Sequence, residues 1–132
     1  MKRFIRLAAV SMAAVALMGC AASPDVKYTG ELPLSVVTGQ PFRVVVGEHG
    51  SAARTVQVSK GQELSVTWSA DRQVTFIVYY NKGDDIFTTV SRQRAGSFRK
   101  SVVIEEDMIL VFRWDNHTGN KVTVDCTISV AG

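Results

Sequence analysis

The sequence predicts an all-β fold, a single antiparallel β-sandwich of about eight strands after a cleaved N-terminal signal helix. Three observations predict it. From Leu32 onward the apolar residues recur with a period of two rather than 3.6, which places them on one face of a strand. These runs are rich in Val, Ile and aromatic residues, which suit a pleated, half-buried surface. Turn-forming clusters separate the runs: VTGQP, GEHGS, SKGQ, SADR, NKGDD, RAGS, EED and DNHTGN. Short strands with regular turns are the pattern of a sandwich or a small barrel.

The first element is the targeting segment. Lys2, Arg3 and Arg6 precede an uncharged, mostly apolar run of twelve residues, Leu7 to Met18. That run suits a signal peptide and is shorter than the roughly 20 residues a bilayer-spanning helix needs. It closes on LMGC, Leu17 to Cys20, and resembles a bacterial lipoprotein signal. The resemblance implies cleavage between Gly19 and Cys20. Cys20 would then carry a thioether-linked diacylglycerol and an amide-linked acyl chain of the palmitate type. Two or more acyl chains anchor stably, at about 0.8 kcal/mol per buried methylene. Ala21 stands where lipoproteins kept at the inner membrane commonly have aspartate, so the chain is expected at the outer membrane, facing the periplasm, if the host has one. On this basis residues 1–19 are the signal peptide, 20–31 the lipidated cysteine and a small, polar tether, and 32–132 the β-sandwich.

Removing the signal changes the charge argument. Three of the 15 basic residues lie in it, leaving 12 to match the 12 acidic ones. A mature domain with no net charge offers no electrostatic footprint for nucleic acid. With Cys20 committed to lipid, Cys126 has no partner within the chain. It lies on the core parity of the last strand, where a thiol acts as a small hydrophobe.

The strands follow in order. Phe42, Val44 and Val46 share a face, as do Val56 and Val58, and Leu64, Val66 and Trp68. Val74, Phe76, Val78 and Tyr80 form the next, followed by Ile86, Thr88 and Val90. Phe98, Val102 and Ile104 share a parity, then Met108, Leu110, Phe112 and Trp114. Val122, Val124, Cys126, Ile128 and Val130 close the pattern.

Within this pattern Gly61, Trp68, Val74, Phe76 and Val78, the AGSF turn with Gly96, Ser97 and Phe98, and then Trp114, Asp115 and Asn116 resemble the GOLD (Golgi-dynamics) domain over residues 55–130. The sequence departs from that family after Asn116, where a longer aromatic-bearing loop is expected, and lacks the disulfide of some members. The resemblance implies a non-catalytic module that binds proteins.

FRWDNHTGNK, Phe112 to Lys121, concentrates polar chemistry. Asp and Asn favour turns because their side chains bond nearby backbone, and Gly119 tolerates positive φ. Asp115 and Asn116 are therefore expected to shape a turn. A catalytic reading would make His117 and Asp115 an envelope hydrolase pair, which needs a nucleophile in reach of the histidine. His49 and Cys126 stand far from His117 in sequence and show no metal-ligand spacing. No metal, cofactor or catalytic residue is assigned. The candidate binding surface comprises Tyr79, Tyr80 and Phe87, with the basic cluster Arg92, Arg94, Arg99 and Lys100. That cluster suits anionic lipid or an acidic partner, or is a solvated hairpin balanced by Glu105, Glu106 and Asp107. The expectation is a non-catalytic envelope lipoprotein whose partners are the membrane, through Cys20, and an envelope protein or component. The alternative is a sandwich that binds a glycan or small ligand through exposed aromatics.

The anchor is directly testable. Cys20→Ser removes the acceptor thiol, so metabolic labelling with a radioactive fatty acid should mark the wild-type protein and leave the variant unmarked.

Overall fold

The computed structural model describes residues 25–27, 33–81 and 86–132, with side chains for 33–81 and 90–132. Among these residues there are seven strands: β1 (Asp25–Lys27), β2 (Phe42–Val46), β3 (Ser51–Val58), β4 (Glu63–Asn81), β5 (Ile86–Val103), β6 (Met108–Asp115) and β7 (Val122–Ala131). Every strand pairing is antiparallel. An isolated parallel bridge, Ser35 to Thr55, lies outside the strands.

β4 and β5 organise the architecture. The first half of β4, from Glu63 to Ala70, pairs with β7, and its second half, from Thr75 to Asn81, pairs with β6. β5 follows β4 through both halves. One half of the sheet thus runs β2-β7-β4-β5, the other β3-β6-β4-β5-β1. The sheet curls about this shared hairpin, and its two halves enclose one core.

The curl has a local cause. Ser69 pairs with Ser97 and Val74 with Ala95. Four residues of β4, 70–73, therefore oppose the single residue Gly96. A bulge of this kind bends a strand without ending its pairing. Its polar groups are used: Asp71 Oδ1 accepts from the Thr123 amide at 3.0 Å, and Arg94 Nε donates to Gln73 Oε1 at 3.1 Å. SADR and RAGS read as turns between separate strands; they are instead the corner of one continuous hairpin. The eight expected runs thus become six strands, and β1 makes seven among the described residues. Within the segment expected as a tether, Asp25–Lys27 pairs with Ile86 to Thr88 as β1.

Inward-facing residues alternate as the period-two pattern requires. Trp68, Phe76, Phe112 and Trp114 are fully buried, and half-buried Phe98 packs against them. Trp68 meets Phe76 edge-on at 5.2 Å between ring centroids and Trp114 edge-on at 6.4 Å, while Phe76 stacks on Trp114 at 5.6 Å. This aromatic group sits directly behind the corner. Among the described residues all the buried apolar side chains lie between Val44 and Ile128, so this stretch carries its own core. The turn from β3 to β4 shows how tightly the connections are made: Gln62 N donates to Ser59 O at 3.1 Å, and Gly61 takes φ +92°, which favours glycine.

Trp68 is 1% exposed, and its indole N–H has no hydrogen-bond partner, which offsets part of its burial. Trp68→Ala should still cost about 3–5 kcal/mol through lost burial and cavity formation. Urea unfolding of the mature chain should show a midpoint well below wild type; an unchanged midpoint would contradict the packing described.

Candidate binding surfaces

The end of β6 settles how FRWDNHTGNK is used. Asn116 is 1% exposed. Its Nδ2 donates to the carbonyls of Val46 (3.3 Å), Gly47 (3.0 Å) and Asn120 (2.6 Å). Its Oδ1 accepts from the amide and hydroxyl of Thr118 at 3.0 and 2.8 Å. One amide side chain thus folds the β6–β7 loop and fastens it to the turn between β2 and β3. The backbone adds Asn116 N to Gly50 O at 2.9 Å and His49 N to Thr118 O at 3.0 Å.

Asp115 does something else. Its carboxylate lies on the outer face of the sheet and accepts from Arg113 Nε at 2.6 Å, so it pairs with an arginine where an Asx-type turn bond was expected. Arg113 also donates to Tyr79 Oη at 3.4 Å. Burial opposes the charge on Arg113, but the hydrogen bond and charge of Asp115, joined by Tyr79, hold its pKa above the ordinary guanidinium value.

His49 and His117, distant in sequence, line one shallow recess of about 160 Å³ with Ser51, Arg113 and Asp115. The β2–β3 turn brings them together, with His49 at a positive φ of 51°. Sequence separation concealed this, since it depends on Asn116 joining two loops. Among the described residues no three His, Cys, Asp or Glu side chains gather as a metal site. Cys126 is buried beneath the sheet, and desolvation pushes its thiol up to about 12, which keeps it protonated near neutral pH.

The proposed tyrosine and arginine surface is divided by the fold. Tyr79 and Tyr80 point to opposite faces. Tyr80 packs against the main core. Tyr79 is 9% exposed and joins Ile77 and Val111 in a second apolar cluster on the outer face of β4 and β6. The side chain of Phe87 lies outside the described residues. Arg92 and Arg94 stand opposite Ile77 and Thr75, on that same outer face. Arg99 lies beyond the corner, opposite Thr67, and Lys100 opposite Val66 on the inner parity, exposed at the open edge.

Arg99 enters a larger recess of about 490 Å³ on the outer face of the first half-sheet. Strand register builds its floor: Thr127, Thr67 and Arg99 form one row, Asp125, Ser69 and Ser97 the next. Pro41 contributes to its wall. Arg43 Nε binds Asp125 Oδ1 at 2.8 Å, which leaves Arg99 as the cation without a carboxylate partner there among the described residues. The outward parity of three strands produced this site. Each strand alone reads only as polar on that face.

No family model and no curated protein matches the chain. Among solved structures it is similar to the pre-peptidase C-terminal domain of a collagenase from Bacillus anthracis, with TM-score 0.52 and 6% identity, covering 76% of this chain and 98% of that one. It is also similar to a CBM4 structure, with TM-score 0.45 and 15% identity, covering 80% and 94%. The first likeness establishes a shared β-sandwich-like fold.

The loop bonds separate Asn116 from its neighbour. Asn116→Ala removes the donor to three buried or half-buried carbonyls, of which Asn120 O keeps the Thr118 hydroxyl; at about 1 kcal/mol for each lost bond, it should lower stability by about 2–3 kcal/mol. His117 is exposed, so His117→Ala should change it by no more than about 0.5 kcal/mol. Thermal unfolding of both variants checks the order.

Proposed function

We propose that the protein is a lipid-anchored, non-catalytic binding module of the bacterial cell envelope, and that its partner is an envelope protein. The observation that carries this is the recess on the outer face of β4, β5 and β7. Its lining of Thr67, Ser69, Ser97 and Thr127 presents hydroxyls that both donate and accept hydrogen bonds. Arg99 adds a positive charge with no carboxylate partner among the described residues. No aromatic ring is exposed among the described residues of that recess: Trp68 is buried and Phe98 half-buried beneath it. A polar segment bearing a carboxylate fits such a lining. Sugar rings that stack on aromatic platforms fit it less well, because the tyrosines that might supply one are turned inward or covered. The resemblance to GOLD domains supports a protein partner, and the LMGC sequence supports the anchor.

The groups that an enzyme would need are occupied differently. Asp115 is held by Arg113, Asn116 is committed to backbone, and the Thr118 hydroxyl bonds Asn116 and Asn120. These bonds support a binding role over a hydrolase built on His117 and Asp115.

A photocrosslinking residue at Thr127, in protein expressed in its native envelope, tests the reading. It should capture a discrete protein species. Arg99→Glu should abolish that capture, and the same crosslinker at Gln57, on β3 away from the recess, should not give it. Capture that is equal from Thr127 and Gln57, or indifferent to Arg99→Glu, would sink the proposal. Retention on purified envelope polysaccharide, lost in Arg99→Glu, would favour the glycan alternative.

A further inference from the structure

Among the described residues β5 is an edge strand for most of its length. Its first three residues are covered by β1, through Lys27↔Ile86, Val26↔Phe87 and Asp25↔Thr88. From Thr89 to Val103 its one partner among the described residues is β4. Long open edges invite pairing with other chains, and charged side chains are a common protection. Arg92, Arg94 and Lys100 are exposed on this edge strand, and Arg92 and Lys100 have no carboxylate partner among the described residues.

Protection alone does not account for where the chain enters. The register puts Asp25 opposite Thr88, so β1 is entered from its end nearer Arg92. Four residues separate Asp25 from Cys20, and the five chain steps between them reach at most about 18 Å. Arg92 lies four residues beyond Thr88, about 13 Å along the strand. A lipid on Cys20 therefore lies within about 18 Å of Asp25, at the end of β1 that adjoins the open edge of β5.

We infer that this edge is the face the domain turns toward the bilayer, with Arg92, Arg94 and Lys100 meeting the anionic headgroups of phospholipids. The inference rests on the lipid-anchored reading of Cys20. Basic groups near an anionic leaflet are attracted within about one screening length, roughly 8–10 Å at physiological salt, and an anchor of this reach lets the edge come that close. The acyl chains supply attachment; the cations supply orientation. Beyond the corner, strand alternation turns Arg99 to the outer face of the first half-sheet and leaves Lys100 on the inner parity at the edge, so the recess that Arg99 enters stays open to a protein partner.

The test uses the lipidated mature protein in vesicles of phosphatidylcholine with or without phosphatidylglycerol, plus a headgroup-linked nitroxide quencher. A fluorophore is placed at Gln73→Cys, beside Arg94, or at Gln57→Cys on β3, the opposite edge strand of the same half-sheet; the native Cys126 is buried. Quenching at position 73 should exceed that at 57 in vesicles with phosphatidylglycerol. It should be lost in phosphatidylcholine alone, in about 1 M salt, where the screening length falls to about 3 Å, and in R92S/R94S/K100S. R43S/K60S/K121S, which removes the same charge elsewhere, should keep it. Equal quenching at both positions, insensitivity to salt, or equal loss in the two triple variants would overturn the inference. So would a position-73 signal that responds to an added glutamate-rich peptide and not to phosphatidylglycerol, which would assign the edge to an acidic protein segment. Protein that does not join vesicles because Cys20 takes no fatty-acid label would overturn the anchored reading instead, a result visible before any quenching is measured.

Discussion

The continuity of the β4–β5 hairpin across the corner is the constraint on which the rest of the structure depends. Each half of the sheet has its own outer strands, β2 and β7 on one side, β3 and β6 on the other. Without a hairpin common to both, they would be two small sheets with little to hold one against the other. The four-residue bulge opposite Gly96 lets the hairpin change direction while its pairing resumes at Val74 and Ala95. Packing then fixes the angle. Trp68 lies just before the bulge and Phe76 just after it, so their contact at 5.2 Å joins the two halves through side chains that are near neighbours in sequence. Phe98, on the partner strand, meets Phe76 at 5.0 Å.

Much of this was legible in the sequence, and the reason is geometric. Alternation reports which residues face the core, and the inward set from Val44 to Ile128 follows it closely. Alternation says nothing about whether two in-phase runs belong to one strand or two. SADR and RAGS have the composition of turns because a wide bulge needs the same small and polar residues that a turn needs. Only the partner strand distinguishes them. β1 escaped for a related reason. Asp25–Lys27 has no amphipathic pattern of its own, and its pairing is supplied entirely by the edge it covers.

The candidate sites were less legible than the fold, because function there depends on faces. Asp115 and Asn116 are adjacent, yet one belongs to the outer face of the sheet and the other to the loop. A strand inverts the side chain at every step, and β6 ends between these two roles. The same inversion separates Tyr79 from Tyr80, and it divides the run from Arg92 to Lys100 between surfaces. Four basic residues close in sequence look like one patch. The bend at Gly96 and the two-residue period scatter them, leaving Arg99 with the hydroxyl rows of Thr67 and Thr127 and the others along the open edge.

The same hairpin keeps the edge covered by β1 apart from the recess that Arg99 enters. β5 runs from the edge covered by β1, through the corner, to the strand that forms one wall of the recess. The far edge of the second half-sheet is managed differently: Leu34 O accepts from Thr55 N and Val36 N donates to Thr55 O, both at 2.8 Å, with the Thr55 hydroxyl adding contacts to Pro33 and Leu34 carbonyls. Those bonds cover β3 locally with the chain's own backbone, which leaves β5, among the described residues, with the long edge guarded by charge rather than by pairing. A charged edge resists pairing with other chains, so the fold leaves its most exposed hydrogen-bonding groups where water can satisfy them.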